Sequence, residues 1–264
     1  MSLGLVAWCR NGIALCADSR SSFPDPASSH TRIASDCTEK LFRVGKCGVV
    51  TSGAGTLCNR TIFSHMEDFK DAHKSEPPSV VAEQLAIAFR TIVDQHLVDY
   101  PQQVYLENAV IIDFLVGGYE DDKPKCFRAS VFQQAAGATQ TIDTQWGPVI
   151  ARNGRVSFRL NGEFNISYIG DVDVVLSLNA NRNFPIALFG LQDSVDLVYF
   201  LAQASERTKH FSSGDGSAFG MNRTIGGPFD VAVIRRKHGF EAIQKKELAV
   251  REQIEAAPVV PKKG

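Results

Sequence analysis

Ser2 stands directly behind the initiator methionine, and a small residue at that position is the ordinary signal for removal of Met1. Removal puts a hydroxyl and a free α-amino group on one residue. A serine hydroxyl is a poor nucleophile and needs a base. An α-amino group, with a pKa of about 7.7–8.0, can serve as that base near neutral pH, taking the hydroxyl proton through a water. Alone, Ser2 is one more chain-terminal residue. It becomes a site only if other residues are brought to it.

The remaining reactive residue types offer less. Cys9, Cys16, Cys37, Cys47, Cys58 and Cys126 form no CxxC pair and match no zinc spacing, so they read as reduced thiols. The six histidines are scattered; only His65 and His73 could share a helix face, which reads as a surface coincidence. No metal site and no cofactor are expected. The stretch Ser212-Ser213-Gly214-Asp215-Gly216-Ser217 lacks the lysine and spacing of a phosphate loop and reads as a mobile loop. Asn59, Asn165 and Asn222 begin N-x-[ST] triplets, taken as chance matches in a cytoplasmic protein.

Composition narrows the class further. The 264 residues carry 28 basic and 29 acidic side chains, with 44% hydrophobic and 22% charged residues. That balance, without a basic run, gives no footprint for nucleic acid. No apolar stretch approaches the roughly 18–20 residues that span a bilayer, and no secretory signal is visible. The expectation is a cytoplasmic protein with one domain over residues 1–245 and a partly disordered tail over 246–264.

Hairpins dominate the pattern. Leu3 to Arg10 and Ile13 to Arg20 read as strands around the Asn11-Gly12 turn. Ser21 to Cys37, with two prolines, reads as a loop. Lys40 to Val44 and Cys47 to Ser52 form a second hairpin. Ser52-Gly53-Ala54-Gly55 reads as the opening of a helix that runs to about His73, and Pro77-Pro78-Ser79 opens another. Val81, Leu85, Ala88, Phe89, Ile92, Val93 and Leu97 mark the second helix's buried face. Ala109 to Val116 and Cys126 to Phe132 pair across a polar turn, and a further hairpin turns at Asn153-Gly154. Ile166 to Ile169 is a short strand, Asp193 to Lys209 a helix, and Phe229 to Arg235 with Gly239 to Ile243 a last hairpin. Antiparallel strands with segregated helices predict an α+β fold.

Three blocks in this order resemble the β-type subunits of the proteasome. Gly12-Ile13-Ala14-Leu15-Cys16-Ala17-Asp18-Ser19-Arg20 is similar to that family's second strand, Glu39 to Val44 to its lysine-bearing third strand, and Thr51-Ser52-Gly53-Ala54-Gly55 to its strand-to-helix turn. Gly226-Gly227-Pro228-Phe229-Asp230-Val231-Ala232-Val233 adds a weaker match. The loop after Arg20 is longer than the family's. The resemblance implies an αββα sandwich of two antiparallel sheets flanked by helices. Because the family's nucleophile lies sixteen residues before its aspartate, the resemblance points to Ser2, where the family usually has threonine. A Met-Ser-Leu start is also what an expression vector leaves, in which case the spacing fixes the site and leaves serine or threonine open.

What the resemblance implies about chemistry can be stated residue by residue. Lys40 would put a cation beside the hydroxyl and lower the pKa of the amine, and Asp18 would hold and compensate Lys40. The Gly53 N–H would receive the oxyanion of the tetrahedral intermediate. Arg20 belongs to the same signature. Asp171, in the turn Ile169-Gly170-Asp171, would help to orient the amine. Family members also place an aspartate and a serine in a late loop, where this chain has Asn222 and Ile225, so that support is altered. The divergent bacterial proteasome homologues depart at the same places and are the closer match.

The function implied is hydrolysis of peptide amide bonds in peptides or unfolded protein, within a ring or helical homo-oligomer, as a threonine/serine-type endopeptidase. An ATP-driven unfoldase partner is left open. Two rivals stand beside it: a small-molecule amidohydrolase of the same superfamily, and a catalytically inactive structural subunit. The hairpin at Asn153-Gly154 would narrow a substrate channel or make a subunit contact.

Overall fold

Near-continuous apolar runs build the first sheet, and alternation sorts their side chains to two faces. Strand β1, Leu3–Cys9, sends Leu3, Leu5 and Ala7 to one side and Val6 and Trp8 to the other. Strand β2, Gly12–Ala17, divides Ala14 and Cys16 from Ile13, Leu15 and Ala17 in the same way. Every residue of both strands is buried, because one face meets helices and the other a second sheet. The computed structural model describes residues 2–24, 31–100, 110–132, 149–151, 156–161, 165–181, 184–211 and 224–245.

The remaining strands are β3 (Ser21–Pro24), β4 (Thr31–Ser35), β5 (Leu41–Val44), β6 (Cys47–Gly53), β7 (Thr56–Leu57), β8 (Arg60–Thr61), β9 (Val110–Glu120), β10 (Lys123–Phe132), β11 (Val149–Ala151), β12 (Val156–Asn161), β13 (Asn165–Gly170), β14 (Asp230–Arg235) and β15 (Gly239–Gln244). One sheet has the order β13-β1-β2-β14-β15, the other β11-β12-β10-β9-β6-β5, with antiparallel pairing throughout. Val6, Trp8, Ile13 and Leu15 of the first sheet meet Val50, Leu115 and Cys126 of the second in the layer between them. Helices α1 (Ile62–Ala72) and α2 (Pro78–Asp99) cover the second sheet through Met66, Val81, Leu85 and Phe89. Helix α4 (Leu191–Phe211), with α3 (Asp173–Asn181) beside it, covers the first through Val175, Val198 and Leu201. Each of these large side chains contributes about 1.5–3 kcal/mol by leaving water, so the three apolar layers hold the αββα sandwich together.

The differences from the sequence reading have local causes. The predicted loop after Arg20 contains the β3–β4 hairpin, which forms its own two-stranded sheet and so needs no buried face to announce it. Gly53 does not open a helix. It ends β6, and the chain makes the small β7–β8 hairpin before α1 starts at Ile62. Cys58 and Asn59 both have positive φ, the geometry of a tight hairpin turn, and Thr61 then caps α1 by accepting from the Ser64 N–H at 3.2 Å. His65 is buried rather than on the surface, with its Nε2 3.1 Å from the Leu57 carbonyl. Helix α3 has only nine residues and gave no periodic signal. The Asn153-Gly154 turn, the loop after Phe211 and the tail from 246 lie outside the described residues.

All six cysteines are free. Burial pushes the Cys47 thiol up to about 12 and the Cys16 thiol higher still. Cys9 and Cys126 are also buried, Cys58 is half-buried and Cys37 is exposed. Because the thiolate is the reactive form, iodoacetamide at pH 8 should modify Cys37 first and leave Cys9, Cys16, Cys47 and Cys126 untouched until the protein unfolds. Peptide mapping by mass spectrometry reads the order directly.

Candidate active site

Strand β1 carries Ser2 at its mouth. Leu3 pairs with Gly170 of β13 and Gly4 with Ala17 of β2, so residue 2 sits between the ends of two neighbouring strands. Asp18 follows directly on β2. Its N–H donates to the Leu3 carbonyl at 3.2 Å, and its Oδ1 accepts from the Leu3 N–H at 2.9 Å. The aspartate therefore grips the backbone immediately after Ser2.

The same Oδ1 accepts from Lys40 Nζ at 2.8 Å. One carboxylate oxygen is thus shared by the ammonium and by the amide that follows Ser2, which ties Lys40 to the backbone next to Ser2. Lys40 Nζ also donates to the Arg20 carbonyl, and the Thr51 N–H holds the Lys40 carbonyl at 2.9 Å beside β6. Ser2, Asp18 and Lys40 are all buried, at 5%, 1% and 5% exposure. Burial pushes the Asp18 carboxyl up, while the Lys40 ammonium and the N–H groups of Leu3 and Gly226 (the latter 3.3 Å from Oδ2) pull it back down.

Ser19 and Arg20 fasten this arrangement to its surroundings. Ser19 Oγ donates to the Asp36 carbonyl at 2.7 Å. The Arg20 guanidinium makes a fork to the Asp36 carboxylate, with Nε–Oδ1 at 2.6 Å and Nη2–Oδ2 at 2.9 Å, and holds that carboxyl below its usual range. Arg20 therefore supports the site through its carbonyl and its clamp rather than by facing Ser2. Asp36 was not legible as a partner, since it sits in the segment read as a loop.

On the other side of Ser2, the Asp171 N–H donates to the Ser2 carbonyl at 2.7 Å. Gly170 makes this turn at φ +89°, and an added Cβ there would lie 1.8 Å from the Ser2 carbonyl oxygen and 2.7 Å from Ser52 Oγ. The end of β6 therefore also reaches this turn. Gly53, at φ +112°, is the exposed residue that follows, and the next amide, Ala54 N–H, is taken up by the Ile111 carbonyl at 2.8 Å. The structure brings Ser2, Asp18, Lys40 and Asp171 together around the start of β1, with Ser52 and Gly53 at its rim. Asn222 lies outside the described residues, and Ile225 is buried in the apolar layer under α4.

Next to Ser52, which pairs with Asp113 across the second sheet, lies a polar cluster the sequence reading missed. Asp113 is buried, accepts from Arg128 Nε at 3.0 Å and also from Arg128 Nη2, and accepts from Ser130 Oγ at 2.6 Å. A lone acid inside Val110-Ile111-Ile112-Asp113-Phe114-Leu115-Val116 was the available signal. Asp113 lies on the same face of the strand as Leu115, whose side chain packs in the layer between the sheets. A cavity of about 440 Å³ between Lys46, Lys74, Pro78 and Tyr119 lies at the other end of β6, away from Ser2.

Among the solved structures similar to this chain are two of Anbu proteins. One is the Anbu (Gly-1) mutant from Hyphomicrobium sp. strain MC1, with TM-score 0.57, 12% identity, and coverage of 93% of this chain and 86% of that one. The other, described as the helical assembly of the Anbu complex from Pseudomonas aeruginosa, gives TM-score 0.58 and 13% identity, with 93% and 88% covered. The chain shares their fold. At this identity the likeness is one of fold alone, the N-terminal-nucleophile-hydrolase-like fold of the two Anbu structures. No protein-family profile and no curated protein matches the sequence. Among the described residues, no helix is long and apolar enough to cross a membrane.

Proposed function

We propose that the protein is a cytoplasmic, threonine/serine-type N-terminal-nucleophile hydrolase that cleaves peptide amide bonds by acyl transfer to residue 2, in a ring or helical homo-oligomer. The observation that carries this reading is the Asp18 oxygen shared by Lys40 Nζ and the Leu3 N–H. It fixes a buried cation next to a residue that bears both a hydroxyl and, after loss of Met1, a basic amine. The amine takes the Ser2 proton, through a water, as Oγ attacks the carbonyl carbon. Lys40 favours the developing alkoxide and depresses the amine pKa by like-charge repulsion. The Gly53 N–H is assigned to the oxyanion, at the strand end where positive φ re-aims the backbone. The amine then returns the proton to the leaving nitrogen, and water releases the acyl group. The helical assembly of the Pseudomonas aeruginosa Anbu complex supports the oligomer.

Intact mass and N-terminal sequencing before and after a peptide epoxyketone test the reading. Expected are loss of Met1 and one adduct on residue 2. A second reading, an inactive structural subunit, draws on Ile225, which is packed into the apolar layer and offers no hydroxyl to the site. A free residue 2 that takes no adduct would favour it.

A further inference from the structure

The segment Thr224-Ile225-Gly226-Gly227 touches both acids that flank Ser2. Gly226 donates to Asp18 and accepts from the Ser19 N–H at 3.3 Å, and the Ile225 carbonyl accepts from Arg20 Nη1 at 3.4 Å. One residue earlier, Thr224 Oγ1 donates to Asp171 Oδ2 at 2.8 Å. Both partners are buried, Thr224 at 1% and Asp171 at 8% exposure. Asp171 is itself locked to residue 2 by its N–H on the Ser2 carbonyl.

This geometry places a buried acidic residue beside residue 2, with its carboxylate held by a hydroxyl from a different strand-connecting segment. A hydrogen bond donated to a carboxylate favours its ionised form, and an ionised carboxylate favours a neighbouring ammonium. We infer that Thr224 is a positioning residue: its hydroxyl fixes the Asp171 side chain at the turn that holds residue 2, and so sets the pH at which the Ser2 α-amino group becomes a free base. The inference rests on Ser2 being the N-terminal residue of the mature chain. Lys40 and Asp171 then act on the amine in opposite senses, the cation lowering its pKa and the carboxylate raising it. Among the described residues, Asp18, Arg20 and Asp36 also lie around residue 2 and its support, paired among themselves and with Lys40, and the Asp113–Arg128 pair lies beside Ser52 at the rim.

The test titrates the amine directly. The rate of acetylation of the N-terminal amine by dilute acetic anhydride is followed from pH 5 to 10 by mass spectrometry, in the wild type and in Thr224→Val, Thr224→Ser and Asp171→Asn. Thr224→Val and Asp171→Asn should each lower the midpoint by roughly half a pH unit or more. Thr224→Ser, which keeps the hydroxyl, should retain the wild-type midpoint. The double variant Thr224→Val/Asp171→Asn should shift no further than Asp171→Asn alone, because the hydroxyl acts only through the carboxylate. An unchanged midpoint in Thr224→Val, in protein whose melting curve shows it folded, would overturn the inference, as would additive shifts in the double variant. The epoxyketone reaction is scored separately. A shifted midpoint without adduct formation would keep Thr224's role and reject the hydrolase, whereas a retained Met1 would reject both.

Discussion

Lys40→Met is expected to stop the reaction of residue 2 with a peptide epoxyketone and to destabilise the protein at neutral pH. The rate should fall about a hundred- to ten-thousand-fold, the range seen when a group that assists proton transfer is removed. Stability should fall by about 3–5 kcal/mol, because the variant leaves the Asp18 carboxylate buried without its cation. The pH dependence gives the sign. Burial already pushes Asp18 up, and without Lys40 its hydrogen-bonded cation is gone, so the folded variant keeps its proton to higher pH than the unfolded chain. A raised folded-state pKa favours folding fully only below the unfolded value, about 3.9, and that contribution disappears as pH rises through the folded value. The gap between wild type and Lys40→Met in urea unfolding should therefore be widest near pH 7–8 and close as pH falls. Lys40→Met/Asp18→Asn should be more stable than Lys40→Met alone, since it removes the orphaned charge. A gap that stays constant from pH 5 to pH 8 would show that Lys40 is not the counter-charge of Asp18.

The parts of this site that could be read from sequence are those carried by the hairpin pattern and the resemblance together. The hairpins placed Asp18 and Lys40 in strands, and the resemblance singled them out before any contact was known. The Asn11-Gly12 turn set the register that brings Gly4 opposite Ala17, and with it residue 2 beside Asp18. Gly53 was placed at the right end of its strand and given the wrong successor. Helical expectation from Ser52 onward overlooked Asn59, which with Cys58 takes the positive φ that makes a hairpin. Contacts across long stretches of sequence were not legible. Thr224 lies 53 residues from Asp171, and Gly226 lies 208 from Asp18. Neither pair carries a local signal, since what joins them is the order β13-β1-β2-β14, which sets the ends of β13 and β2 on either side of the start of β1. Asp113 was legible in principle as a charge at an inward position, but its partners Arg128 and Ser130 follow only from the β9–β10 register.

Gly170→Ala should disable the site from the side opposite Lys40. The residue has φ +89°, where a side chain is strained by about 1–2 kcal/mol. The more severe problem is space. The new Cβ would lie 1.8 Å from the Ser2 carbonyl oxygen and 2.7 Å from the Ser2 carbonyl carbon, both backbone atoms that no rotamer change can move. Relief requires the start of β1 to shift away from β13, which breaks the Asp171 N–H bond to Ser2 and pulls on the Leu3–Asp18 pairing at the next residue. Overpacking of this kind typically costs about 1–3 kcal/mol beyond the strain. A displacement of about 1 Å at the nucleophile is enough for a hundredfold loss of rate. Epoxyketone adduct formation should therefore fall at least about a hundredfold in whatever Gly170→Ala protein remains folded. Gly55→Ala is the matched control for stability, because an added Cβ there meets nothing within 4 Å; its melting point should stay close to that of the wild type. If Gly170→Ala reacted as fast as wild type and melted with Gly55→Ala, residue 2 could not be seated against the Gly170-Asp171 turn. The assignment of Asp171 and Thr224 to its amine would fall with that contact, while the Asp18–Lys40 pair on the other side of β1 would stand untouched.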